Sequence, residues 1–99
     1  MVKLVVTYGH PESPEAFEKY YFETHLPIAA KIKAQKVELS KMVGTPDGQP
    51  SSNYRMAELY FDSLEDLQQH MGSAEGQAAV NDIANFATGG VDVNIAEVG

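Results

Sequence analysis

Imidazole is the side chain whose ordinary titration lies near neutrality, so histidines are the first place to look for proton transfer. This 99-residue chain has three, at positions 10, 25 and 70. It has no cysteine, which excludes disulfides, thiolate metal sites and thiol nucleophiles by composition. His25 has the strongest claim. It follows Tyr20-Tyr21-Phe22-Glu23-Thr24 and precedes Leu26-Pro27, and a proline lacks the N–H and disfavours helical geometry at the residue before it. A histidine at such a break is held by two elements and can point into a cleft between helix and sheet. Tyr8, Tyr21, Tyr60 and Phe86 supply candidate walls for that cleft. Asp82 and Asn85 lie one helical turn apart and are placed to orient a ligand or His25.

Each of these residues also has a structural reading. The imidazole could satisfy a backbone group at the break, the aromatics could be ordinary core, and Asp82 with Asn85 could cap the adjoining loop. His10 sits in a turn beside Pro11, and His70 falls late in a helix, where imidazolium complements the dipole. Histidines so scattered have no short ligand spacing, and no glycine-rich strand-to-helix turn is present. The expectation is a protein without metal, flavin, haem or nicotinamide.

The elements that must position these residues are legible from periodicity. Val2 to Tyr8 alternates as a first strand, with Val2, Leu4, Val6 and Tyr8 on one face. Ser13-Pro14-Glu15 offers an N-cap, a proline for the first helical position and an acid in the first turn. The spacing predicts a helix from Pro14 to about Thr24, and a short angled helix from Ile28 to about Ala34. Strands follow over Lys36 to Val43 and Tyr54 to Phe61, joined by a turn-rich loop from Gly44 to Asn53. Ser63 and Asp66 form a capping box for a helix from Leu64 to about Met71. Gly72 interrupts it, and Ser73 caps a second segment whose apolar stripe is Val80, Ile83, Ala84 and Ala87, with Ala79 and Phe86 at its margin. After Thr88-Gly89-Gly90, a last strand alternates through Val91, Val93 and Ile95.

The order βαββαβ fits one α+β domain over residues 1–99: a ferredoxin-like sandwich with a four-stranded antiparallel sheet and both helices on one face. The other face would carry Val5, Thr7, Ser40, Met42, Met56, Tyr60, Ala96 and Val98, which is too apolar or small for a face left in water. A second copy under two-fold symmetry is the economical cover, giving a homodimer. Glu58, mid-strand between Met56 and Tyr60, would then need a partner such as Arg55, Lys41 or a group on the other subunit.

Net charge is −7, and it is unevenly spread. Residues 1 to 55 carry seven Lys and Arg against six acids, whereas residues 56 to 99 carry eight acids and no Lys or Arg. With a single arginine, Arg55, the chain has no clustered basic surface for nucleic acid or an anionic membrane. No stretch approaches the roughly 18 apolar residues of a membrane span, and a cytoplasmic setting is expected.

The stretch Tyr8-Gly9-His10-Pro11, then Phe17, then Tyr20-Tyr21-Phe22-Glu23-Thr24-His25-Leu26-Pro27-Ile28-Ala29, resembles the EthD family of the dimeric α+β barrel superfamily. So do Ala57-Glu58-Leu59-Tyr60-Phe61-Asp62-Ser63-Leu64, Ser73-Ala74-Glu75-Gly76, Asp82-Ile83, Asn85-Phe86 and Gly89-Gly90. The resemblance implies two ferredoxin-like units whose sheets pack into a barrel. It also implies an association with catabolism, since the family is named for a protein of ethyl tert-butyl ether degradation that accompanies an oxygenase system. Relatives on this barrel include cofactor-independent monooxygenases, isomerases and cyclases acting on small apolar or aromatic molecules between helices and sheet. Two functions follow as expectations: an oxidoreductase or acid/base enzyme using His25, or a non-catalytic ligand-binding accessory to a partner oxygenase.

Overall fold

The structure, a computed structural model, describes residues 1–99. Its elements run β1 (Val2–Gly9), α1 (Pro14–Tyr20), a π-helical turn (Tyr21–His25), α2 (Leu26–Ala29), β2 (Lys36–Lys41), β3 (Asn53–Phe61), α3 (Leu64–Met71), α4 (Ala74–Asp82), a 3₁₀ turn (Ile83–Asn85) and β4 (Val91–Glu97). The strands form one antiparallel sheet in the order β2-β3-β1-β4. This is the ferredoxin-like α+β fold. No helix is long and apolar enough to cross a membrane.

The three serine caps lie where their side chains can accept the free N–H groups of a first turn: Ser13 from Ala16, Ser63 from Asp66 and Ser73 from Gly76. Pro27 does not break the first helix. The Leu26 N–H reaches back to the Tyr21 carbonyl, one residue further than in an α-helix, and the widened turn carries the chain directly into α2. The expected second helix from Ile28 to Ala34 is therefore a single turn that begins earlier, at Leu26, and ends at Ala29.

Leu4, Val6 and Tyr8 of β1 meet Leu59, Ala57 and Arg55 of β3 on the helix-facing side. Tyr8 pairs with Arg55 and Gly9 with Asn53, leaving Tyr54 as an extra residue in β3. This bulge turns Tyr54 and Arg55 both toward the helices, where both are buried. The core is thirteen buried hydrophobic residues, among them Phe17, Tyr21, Phe61, Leu67 and Phe86. On α4 the buried line runs through Gly76, Ala79 and Asp82 to Phe86, while Val80 and Ala84 are exposed. Of the expected stripe, Ile83 and Ala87 pack against the core, while the fully buried positions lie one step round the helix and include the charged Asp82.

The opposite sheet face carries Val5, Thr7, Met56, Tyr60 and Ala96 as expected, but it is not purely apolar. Glu58 is paired there with Lys3 at 2.6 Å, and Tyr60 donates to Glu38 at 2.7 Å. Arg55 and Lys41 are not the partners of Glu58. Arg55 lies on the other side of the sheet, held by Glu18 at 2.6 and 2.8 Å.

Candidate active site

The π-helical turn positions the site. An extra residue in one turn carries Tyr21 and His25 both inward, and these are its buried members. His25 is 5% exposed and lies against Phe86, ring centroids 4.6 Å apart, with Tyr21 stacked at 5.9 Å. Its Nδ1 is 2.9 Å from Asp82 Oδ2. The other oxygen, Oδ1, accepts from Tyr20 Oη at 2.6 Å and from Asn85 Nδ2 at 3.0 Å.

Asp82 is itself 8% exposed. Burial pushes its carboxyl up, but the hydrogen bonds from Tyr20, Asn85 and His25 outweigh this and hold it below the ordinary range. It is a carboxylate at neutral pH, so it accepts, and Nδ1 of His25 carries the hydrogen. Nε2 has no hydrogen bond from the protein.

Between helices and sheet lies a cavity of about 240 Å³, lined by eighteen residues of which seventeen are hydrophobic; the exception is His25. Leu4, Val6 and Tyr8 form its floor with Ala57 and Leu59, and Tyr21, Ala29, Met71 and Ile83 contribute from the helices. Burial raises the Tyr8 phenol well above its ordinary value and pushes Tyr21 up to about 12. Both remain protonated at neutral pH, able to donate but not to act as bases. The Tyr21 hydroxyl is buried with no hydrogen-bond partner.

Of the residues expected at the site, Tyr8, Tyr21, His25, Asp82, Asn85 and Phe86 converge. Of these, only Tyr8, Tyr21 and His25 line the cavity; Phe86 lies behind the His25 ring, Asp82 holds its Nδ1, and Asn85 contacts Asp82. Tyr60 is elsewhere: it lies on the outer sheet face with Lys3 and Lys36 near its ring, because its position in β3 alternates with the cavity-lining Leu59. His10 bonds the Ser51 carbonyl, and His70 pairs with Asp66 one turn earlier on α3. Sequence reasoning missed the role of Tyr20 and the Arg55–Glu18 pair. His25 and Asp82 are two metal-capable groups, and no third His, Asp or Glu joins them.

The model of the EthD domain matches residues 9–90. The chain belongs to the EthD family. An uncharacterised 11.0 kDa protein of Rhodococcus erythropolis, from the thcB–thcC intergenic region, is 40% identical over 91 residues, covering 92% of this chain and 88% of that one. An ethyl tert-butyl ether degradation (EthD) family protein of Bacillus halodurans superposes on this EthD chain with a TM-score of 0.93 at 39% identity, covering 100% and 99% of the two chains. Two more distant structures share the fold alone. One is a dimeric protein of unknown function from Bacteroides fragilis (17% identity, TM-score 0.67, 98% and 95% covered). The other is SnoaB, a cofactor-independent oxygenase from Streptomyces nogalater (10% identity, TM-score 0.68, 98% and 91% covered).

Proposed function

We propose that this EthD-family protein binds a small uncharged aromatic or apolar molecule in its cavity and transfers a proton from it through His25, without an organic cofactor or metal. The observation that carries this reading is the His25–Asp82 pair: a buried imidazole is the one non-hydrophobic group on the cavity wall, and its far nitrogen is held by a carboxylate. An apolar cavity of roughly 150 Å³ accepts benzene, and drug-sized ligands need roughly 300 Å³ or more. A volume of about 240 Å³ suits a single ring with short substituents. No cation or anion lines the cavity to neutralise a charged ligand, and burying an unpaired charge is costly.

Nε2 takes the proton from an acidic C–H or O–H of the bound molecule. The imidazolium that forms is stabilised by Asp82 and can return the proton to another atom of the same molecule, which closes the balance for an isomerisation or cyclisation. In an oxidation with dioxygen as co-substrate, His25 would supply this proton-transfer step only. The protein acts as a homodimer through the outer sheet face, in keeping with Val5, Met56 and Ala96 on that face, and it works in a catabolic, cytoplasmic setting.

The test is a thermal-shift and NMR screen of small aromatic and ether compounds against wild type, His25→Ala and the cavity-narrowing Ala29→Trp. Ligands that bind wild type, lose binding in Ala29→Trp and turn over only with His25 present are the expected result. Binding without turnover under every condition, equal in wild type and His25→Ala, would replace this reading with that of an accessory protein carrying the molecule for a partner oxygenase.

A further inference from the structure

We infer that Tyr20 and Asn85 are positioning residues that set the basicity of His25 by sharing the Asp82 carboxylate; this rests on the acid/base reading of the site. The two oxygens of Asp82 have separate duties. Oδ2 meets His25 on the cavity side, whereas Oδ1 takes two donors, Tyr20 Oη at 2.6 Å and Asn85 Nδ2 at 3.0 Å. Both donors belong to a different place. They line a second cleft of about 290 Å³ with Glu12, Ser13, Phe17 and Phe86, which shares no lining residue with the cavity. The carboxylate therefore links His25 on the apolar cavity wall to two residues of a second cleft of mixed lining.

Two donors on Oδ1 have two effects. They fix the carboxylate plane, so Oδ2 stays on Nδ1 and His25 keeps the tautomer that leaves Nε2 free. They also draw negative charge away from Oδ2, so the imidazolium is stabilised less than it would be by an undivided carboxylate. Removing either donor would return that charge to Oδ2 and favour the imidazolium.

The other titratable groups facing the pair are Tyr8 from β1 and Tyr21 from the π-helical turn. Arg55 of β3 lies beyond the Tyr21 ring, 5.4 Å from its centroid, and is neutralised by Glu18. None of these is altered by changing Tyr20 or Asn85. Tyr20→Phe keeps the ring that stacks on Phe86 at 5.5 Å, and Asn85 is exposed.

The experiment is long-range 1H–15N NMR of the imidazoles in ligand-free protein, titrated with pH, for wild type, Tyr20→Phe and Asn85→Ala, with His25→Ala to assign the resonance. Wild-type His25 is expected as the Nδ1–H tautomer. Its midpoint should rise by about half a pH unit or more in each variant, the scale of losing one hydrogen bond to a charged group attenuated through the carboxylate. His10 and His70 should not move. Once a substrate is in hand, the acid limb of the rate profile should rise with the midpoint. An Nε2–H tautomer in wild type, or an unmoved His25 midpoint in both folded variants, would overturn the inference. Because the titration needs no ligand, its outcome is independent of whether any compound is bound or turned over.

Discussion

His25 Nδ1 and Asp82 Oδ2 lie 2.9 Å apart although 57 residues separate them in the chain. The contact joins the π-helical turn after α1 to the C-terminal end of α4, and with the bond from Tyr20 Oη to Oδ1 it ties the first helical segment to the last.

That relationship separates two variants. His25→Ala removes the proposed base but strands only Asp82, which keeps its bonds from Tyr20 and Asn85. We expect turnover to fall by roughly 10² to 10⁴, with a stability loss of about 1 to 2 kcal/mol. Asp82→Ala instead leaves the buried Nδ1 and the Tyr20 hydroxyl without a partner, and should cost roughly 2 to 4 kcal/mol. Urea unfolding of the two proteins checks the order. An Asp82→Ala protein as stable as wild type would remove the pair from the structural account.

Stability should fall steeply in acid. The folded Asp82 carboxyl sits below its ordinary value of 3.8, and Glu18, hydrogen-bonded by Arg55, sits below 4.5. The unfolded chain therefore binds more protons than the folded one in this range. The contribution of these groups is present above their ordinary values and lost as pH drops through the lower folded ones. Guanidinium midpoints measured from about pH 5 to pH 2 should decline, and Asp82→Asn should flatten part of that decline.

Gly76→Ala should destabilise by roughly 1 to 3 kcal/mol. A Cβ there would collide with the backbone carbonyls of His70 and Met71, which leave no side-chain end to move aside. Thermal denaturation of this variant, beside Ser73→Ala at about 1 kcal/mol for a lost cap, tests how tightly α3 turns into α4.

Met56→Asp should dissociate or unfold the proposed homodimer, since Met56 lies on the outer sheet face between Thr7 and Ser40. Light scattering after size exclusion should give a dimer for wild type, with an interface of roughly 2,000 Å² or more. An unchanged dimer in the variant would locate the interface elsewhere.

The element order, the three serine caps and the family were all legible in the sequence, because capping and period-two alternation depend on residues within a few positions of one another. His25 was legible as a candidate through its place before Leu26-Pro27. Its partner was only half legible: Asp82 and Asn85 could be paired with each other by their spacing, but nothing local says which of many distant groups a carboxylate will face. Two one-residue irregularities decided the rest. The extra residue of the π-helical turn carries the helix through Pro27 and points Tyr21 and His25 the same way, and the extra residue in β3 brings Tyr54 to the same buried side as Arg55. Each shifts the phase of a regular pattern, so periodicity read from the sequence runs true up to the irregularity and is offset beyond it. Tyr60 shows the converse. Regular alternation already placed it on the outer face, and only the folded sheet, with the cavity on its other side, removes it from the site.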